Sequence, residues 1–216
     1  MSEIYYKLPV GGSTLFYPCA GNDLQCPIEC FSNVVKNFYF VDIRQAGFPQ
    51  LPERYSVIHE RQQCAKNKFV FRCRDRETDR EFLIHRWRGQ AEVAIRDISS
   101  IGIFFFRGDN PVDGEGSSGV LWFGKTLFNE ILSRLANGGL IVTDGSNTTH
   151  DGPREFAKFW HKRDIGVSAR NRVNTCEYAG REFACVGYVG EKYGPTLVWQ
   201  MLTSPTSMQE SNRAHS

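Results

Sequence analysis

The densest pattern of apolar and polar positions lies at 127–147, LFNEILSRLANGGLIVTDGSN. Leu127, Ile131, Leu132 and Leu135 recur at helical spacing, Asn137-Gly138-Gly139 offers a left-handed stop, and Leu140–Thr143 is a short apolar, β-branched run. A helix, a turn and a buried strand make half of an αβ crossover. The strand ends on Asp144-Gly145, and polar loops beyond strand ends are where ligands collect in open sheets.

Upstream, Thr14–Tyr17 reads as a strand stopped by Pro18. A helix follows from near Leu24 to about Val35, with Pro27 tolerated in its first turn, and Phe38–Val41 is a second buried strand ending on Asp42. Residues 48–62, with two prolines before SVIHERQ, read as a connecting segment with a little strand or helix. Lys68–Arg74 and Glu81–Trp87 flank the charged turn DRETDR and predict a β-hairpin. Ile101–Phe106 is apolar on both faces, as expected of a central parallel strand covered by helices. It ends on Arg107-Gly108-Asp109, and the Gly-rich loop 110–119 leads to a helix starting near Leu121 or Lys125. A further helix is expected over 154–163, with Phe156, Phe159 and Trp160 on one face. Glu182–Val189 and Pro195–Leu202 predict a closing hairpin, and the polar stretch from Thr203 is expected to be disordered.

With 216 residues, 41% of them hydrophobic, the chain can bury a full core, which predicts one domain over 1–202 and a tail over 203–216. No apolar run approaches the roughly 20 residues of a membrane helix, and MSEIYYKLPVGG lacks the charged-then-apolar order of a signal peptide, so no membrane partner and a cytoplasmic location are expected. Seven cysteines, an odd number, read as reduced thiols rather than a disulfide framework. Cys26 and Cys30 invite a metal reading but lack two further ligands at zinc spacing, so no metal site is expected. The net charge of +2 hides two basic segments: 61–96 holds ten Lys/Arg against five Asp/Glu, and 154–172 holds six against two. Such segments suit a nucleic acid or a phosphorylated small molecule. The alternation of Arg72, Arg74 and Arg76 with Phe71, Cys73 and Asp75 is equally that of a solvated strand face.

The order β-loop-α-β-acid, a central apolar strand, a helix ending in NGGLIVTD and a closing antiparallel hairpin together resemble the class I S-adenosylmethionine-dependent methyltransferases. The resemblance spans Thr14 to Leu202, and LSRLANGGLIVTD is its best local piece. It implies a three-layer α/β fold, Rossmann-like, with a mostly parallel sheet, an antiparallel C-terminal hairpin and an inserted β-hairpin at 68–87. It also implies S-adenosylmethionine as cofactor. Pro18, Cys19, Ala20, Gly21, Asn22 and Asp23 then correspond to the family's glycine-rich loop, whose backbone amides meet the cofactor's amino-acid end. Asp42 corresponds to the acid that accepts hydrogen bonds from the ribose hydroxyls, and it is equally a turn-initiating residue. Gln90 falls near the adenine. Arg107, Gly108 and Asp109 fall where methyl transfer is organised, with Gly108 on the cofactor and Arg107 and Asp109 as catalytic candidates, Asp109 as base or substrate-orienting group. The aromatic that follows in amino-methylating relatives is missing, so nucleobase amine methylation is not implied. The acceptor, nucleic acid or small molecule, stays open. In-line methyl transfer rests on positioning and needs no catalytic triad. His59, His85, His150 and His161 read as surface or packed histidines, with His150 the best placed as a base.

The loop keeps one glycine where the family has several, as a non-catalytic binding relative would. A third reading comes from Gly119–Thr126, which satisfies GxxxxGK[ST] by letters. Val120-Leu-Trp-Phe123 at its variable positions suit packing or a lid better than a phosphate cradle, and the adjacent DGEGSSG suits a mobile flap. No GxGxxG follows the first strand, which argues against a dinucleotide dehydrogenase.

Overall fold

Ten strands join into one mixed sheet in the computed structural model, which describes residues 12–43, 48–62, 67–107, 125–143, 156, 174–190 and 196–202. The strands are β1 (Thr14–Pro18), β2 (Asn37–Asp42), β3 (Tyr55–Gln62), β4 (Lys68–Asp75), β5 (Glu81–Arg88), β6 (Ile101–Phe106), β7 (Leu135–Thr143), β8 (Asn174–Tyr178), β9 (Arg181–Val189) and β10 (Thr196–Met201). Their spatial order is β3-β4-β5-β2-β1-β6-β7-β10-β9-β8. The described helices are α1 (Gln25–Phe31), α2 (Ala91–Ala94), continued by a 3-10 turn at Ile95–Asp97, and α3 (Lys125–Arg134).

β1 pairs in parallel with β2 on one side and β6 on the other, and β5 and β7 extend the parallel block outward. β1, β6 and the second half of β7 are apolar runs buried on both faces, whereas β2 and β5 largely alternate buried and half-buried positions. Every residue of β6 is buried, which leaves it no position but the middle of a sheet. The two faces form two cores. On one, Leu15, Tyr17, Phe38, Phe40, Ile103 and Phe105 pack under Cys26, Ile28 and Phe31 of α1. On the other, Phe16, Val41, Phe104, Phe106, Ile141 and Trp199 pack under α2 and α3, with Phe156 among them. Gly102 of β6 passes so close to Gly12 that a Cβ would meet the Gly12 carbonyl oxygen at 1.7 Å, so the central strand admits no side chain there.

The three-layer, Rossmann-like, mostly parallel α/β expectation is not what the chain builds. Among the described residues 53% lie in strands and 17% in helices, and five of the nine strand pairings are antiparallel. Ten strands at about 4.8 Å spacing span about 43 Å, whereas helices of seven, four and ten residues are about 6 to 15 Å long. Such helices cover patches of the sheet rather than making layers. Antiparallel neighbours need no crossover helix, so β3-β4-β5 and β8-β9-β10 add strands without adding helices.

Residues 55–62, read as part of a connection, are strand β3, paired with β4 through a register shift between Val57 and His59. The helix expected to reach Val35 ends at Phe31. Asn137-Gly138-Gly139 is not a plain helix stop but lies within β7, where the register with β6 jumps from Ile101↔Leu135 to Ile103↔Leu140. Gly138 takes φ +76 there, a left-handed conformation that glycine adopts without a Cβ penalty. The helix expected over 154–163, apart from Phe156, the loop 110–119 and the tail 203–216 lie outside the described residues. No described helix is long and apolar enough to cross a membrane.

Of the histidines, His59 is exposed. His85 of β5 stacks on Tyr39 of β2 with centroids 4.2 Å apart and planes 5° from parallel, its Nε2 3.4 Å from Asn37 Oδ1. Burial pulls its pKa down to about 4. The imidazole is therefore neutral in the fold but takes a proton in the unfolded chain below pH about 6.5, so the unfolded state binds more protons between those values. Stability should fall as pH drops from about 6.5 to about 4, by at most about 3 kcal/mol from this group. In His85→Phe, which retains a ring on Tyr39, urea denaturation across that window should show a flatter pH profile; an unchanged slope would assign the loss to other groups.

Candidate functional site

β1 ends at Pro18, whose lack of an N–H suits the last position of a strand. The chain then turns through Cys19 (φ +55) and Gly21 (φ +50) before α1. A non-glycine residue in the left-handed region costs about 1 kcal/mol or more, and here Cys19 occupies it where a glycine-rich loop would carry glycine. The turn is held by two contacts to β2 and one to β5. The Ala20 amide donates to the Val41 carbonyl at 3.1 Å. The Gly21 amide donates to Asp42 Oδ2 at 3.0 Å. The Gly21 carbonyl accepts from Arg86 Nη1 at 3.0 Å. Within the turn, Asp23 N bonds the Ala20 carbonyl at 2.8 Å and Leu24 N the Asn22 carbonyl at 2.9 Å.

Asp23 ties in the third strand. Its Oδ2 accepts from the Tyr17 hydroxyl at 3.0 Å and lies 3.6 Å from Arg107 Nη1 at the end of β6. The ends of β1, β2 and β6 therefore meet around one loop. Pro18 and Ala20 are buried, Cys19, Gly21, Asp23, Asp42 and Arg107 are half-buried, and Asn22 is exposed. A Cβ on Gly21 would meet nothing within 4 Å, so the space beside its α carbon is open among the described residues. Gln90 lies one strand further out, exposed at the start of α2, and its side chain makes no cap bond. Gly89 beside it donates its amide to the Asp42 carbonyl at 3.0 Å. Gly108, Asp109, His150, His161, the segment 154–172 apart from Phe156, and the Gly119–Gly124 part of the phosphate-loop pattern lie outside the described residues.

Arg86 was not singled out by the sequence pattern, although Phe82, Ile84 and Arg86 alternate on one face of β5 and two of the three are core residues. It is 2% exposed. Burial lowers its pKa, with the charge of Asp42 opposing that shift. Ile43 and Phe48, beyond the end of β2, are large apolar side chains left exposed, and Phe48 meets the ring of Phe71 edge-on at 5.5 Å. Cys26 and Cys30 sit one turn apart on α1 and share a hydrogen bond that pushes the Cys26 thiol up, a shift burial adds to, and pulls the Cys30 thiol down against burial. Among the described residues no three His, Cys, Asp or Glu side chains cluster as metal ligands.

Three cations of the first basic segment, Lys68, Arg72 and Arg74, are paired with carboxylates of the chain itself. Arg72 Nε donates to Glu81 Oε2 at 2.6 Å, Arg74 Nη2 to Glu81 Oε1 at 2.7 Å and Lys68 Nζ to Asp97 Oδ2 at 2.7 Å. Lys68 also lies 3.5 Å over the Trp87 ring. On β4 the alternation is thus that of a solvated face laced with ion pairs.

Comparison with family models, curated proteins and solved structures finds no match to this chain. The methyltransferase resemblance gains nothing from it. Substituting Gly21 by Ala tests the loop conformation: with open space at the Cβ, only the left-handed backbone resists, so the stability loss by urea denaturation should be about 1 kcal/mol. A loss of several kcal/mol would mean that chain packs where the loop is open.

Proposed function

We propose that the protein binds S-adenosylmethionine beyond the carboxyl ends of β1, β2 and β6 and serves as a methyltransferase. The observation that carries this reading is the hydrogen bond from the Gly21 amide to Asp42, made at the point where the chain, having gone from β1 to β2 on one side, returns to β6 on the other. Crevices at such reversals of strand order are where open sheets bind ligands. The reading uses that reversal and not a helical layer on either face.

The residues present fit the group. Asp42 offers a carboxylate at the end of β2 for ribose hydroxyls, a charge-assisted contact that a neutral residue replaces poorly. The open side of Gly21 allows close approach of a ligand to the loop backbone. The bound cofactor supplies a methyl group activated on a sulfonium. The chain holds Asp23 and Arg107 3.6 Å apart beside that space, a pair able to orient a polar acceptor. Internal pairing of Lys68, Arg72 and Arg74 favours a small-molecule acceptor over a nucleic acid. A cytoplasmic setting suits the absence of a disulfide between the six described cysteines.

A second reading is a binding protein without catalysis. It is favoured by the engagement of Asp42 Oδ2 and Asp23 Oδ2 with the chain's own donors. The two readings and the phosphate-loop reading separate by ligand. S-adenosylhomocysteine at a hundred times its dissociation constant should add about 2.7 kcal/mol to stability. Asp42→Ala should abolish that gain while melting cooperatively without ligand. Methyl transfer from S-adenosylmethionine to an acceptor panel then separates enzyme from binder. Stabilisation by ATP with magnesium instead, or by none of these, would overturn the adenosyl reading.

A further inference from the structure

On the α1 face of the sheet, the registered neighbours of Arg86 from β4 to β1 are aromatic. Phe69 of β4 pairs with Arg86, Arg86 with Phe40 of β2, and Phe40 with Tyr17 of β1, whose ring lies 4.9 Å from that of Phe105. An aliphatic residue in the Arg86 position would complete this row. A guanidinium there is a buried charge, and burying one costs several kcal/mol unless it is paired and its hydrogen bonds are met.

Arg86 is not so compensated. It forms no ion pair with any described residue, its Nη1 donates to the Gly21 carbonyl, and its Nε is buried without a partner. Arg74 and Arg134 also leave Nε without a hydrogen bond, but Arg74 Nε lies 3.5 Å from Asp79 Oδ1 and each has a carboxylate partner at its other nitrogens. Asp42, whose charge acts on Arg86, accepts the Gly21 amide at its Oδ2. The Gly21 residue is thus gripped from both sides, by a carboxylate at its N–H and by a guanidinium at its carbonyl, next to open space.

We infer that Arg86 is an oxyanion-binding residue, and that a carboxylate or phosphate of a small molecule seated at the Cys19–Asp23 loop completes its hydrogen bonds. A planar guanidinium with free donors matches such a group geometrically, as an ammonium does not. The inference rests on the adenosyl reading only for the identity of the molecule: the amino-acid carboxylate of the cofactor is one source of the oxyanion, a phosphate is the other.

The test is calorimetry of the full chain with three probes: S-adenosylhomocysteine, methylthioadenosine, which lacks the amino-acid end, and inorganic phosphate. The variants are Arg86→Met and Arg86→Lys. If the cofactor carboxylate is the oxyanion, Arg86→Met should weaken S-adenosylhomocysteine by about tenfold to a hundredfold, the worth of hydrogen bonds to a charged group, and leave methylthioadenosine unchanged. If phosphate is the source, wild type should bind inorganic phosphate and Arg86→Met should not. In that case failure of both adenosyl ligands sinks the methyltransferase reading while Arg86 keeps its role. Binding of every probe at wild-type strength by both variants overturns the inference, and so does a wild type that binds neither S-adenosylhomocysteine nor phosphate. Should Arg86→Met fail to fold, equal wild-type affinity for S-adenosylhomocysteine and methylthioadenosine, with no phosphate binding, overturns it without the variant.

Discussion

The structure turns on the position of β1. Buried on both faces and paired in parallel with β2 and β6, it can deliver the chain only over the top of the sheet. The residues that make that passage are consequently fixed by their neighbours: Ala20 by the Val41 backbone, Gly21 by Asp42 and Arg86, Asp23 by Tyr17 and Arg107. The loop is preorganised at the cost of left-handed backbone at Cys19, and strain of this kind persists only where surrounding contacts over-determine it.

Aromatic side chains supply the rigidity behind that loop. Tyr17 lies against Phe105 and Phe40, Phe31 of α1 meets Phe105 edge-on at 6.2 Å, and on the other face Phe104 contacts Phe16, Phe106 and Phe128. Burial of such rings stabilises each by a few kcal/mol, which explains how a sheet with so few described helices keeps its central strands buried. The outer strands meet exposure differently: β4 and β5 carry solvent-facing charges that pair, as Arg72 and Arg74 do with Glu81, while Asp75 and Arg86 turn inward.

What the residues reveal by themselves follows from how one-sided their environments are. Ile101–Phe106 can be read as a central strand because nothing in it tolerates water, and the order strand, loop, helix, strand, acid brings Gly21 and Asp42 within hydrogen-bonding reach. The architecture is not legible in the same way. SVIHERQ hides β3 because the bulge between Val57 and His59 breaks its period of two. NTCEY is too short and too polar to announce β8. With those edges unseen, apolar strands buried on both sides call for helices on both sides, and a layered sandwich follows by default, whereas antiparallel strands extend this sheet at both ends. Arg86 escapes notice for a related reason. In RWR a cation reads as solvent-facing, and only its register with Phe69 and Phe40 reveals that it faces inward.

The central claim is that the ends of β1, β2 and β6 form one ligand crevice around Gly21. Backbone amide chemical shifts of the isotope-labelled protein, followed during titration with S-adenosylhomocysteine, address it most directly. The account predicts that Gly21, Asp42 and Arg107 shift together along one saturating curve while the edge strands β3 and β8 stay still. Amides at those three positions that hold still at saturation, or shifts confined to the sheet edges, would contradict it.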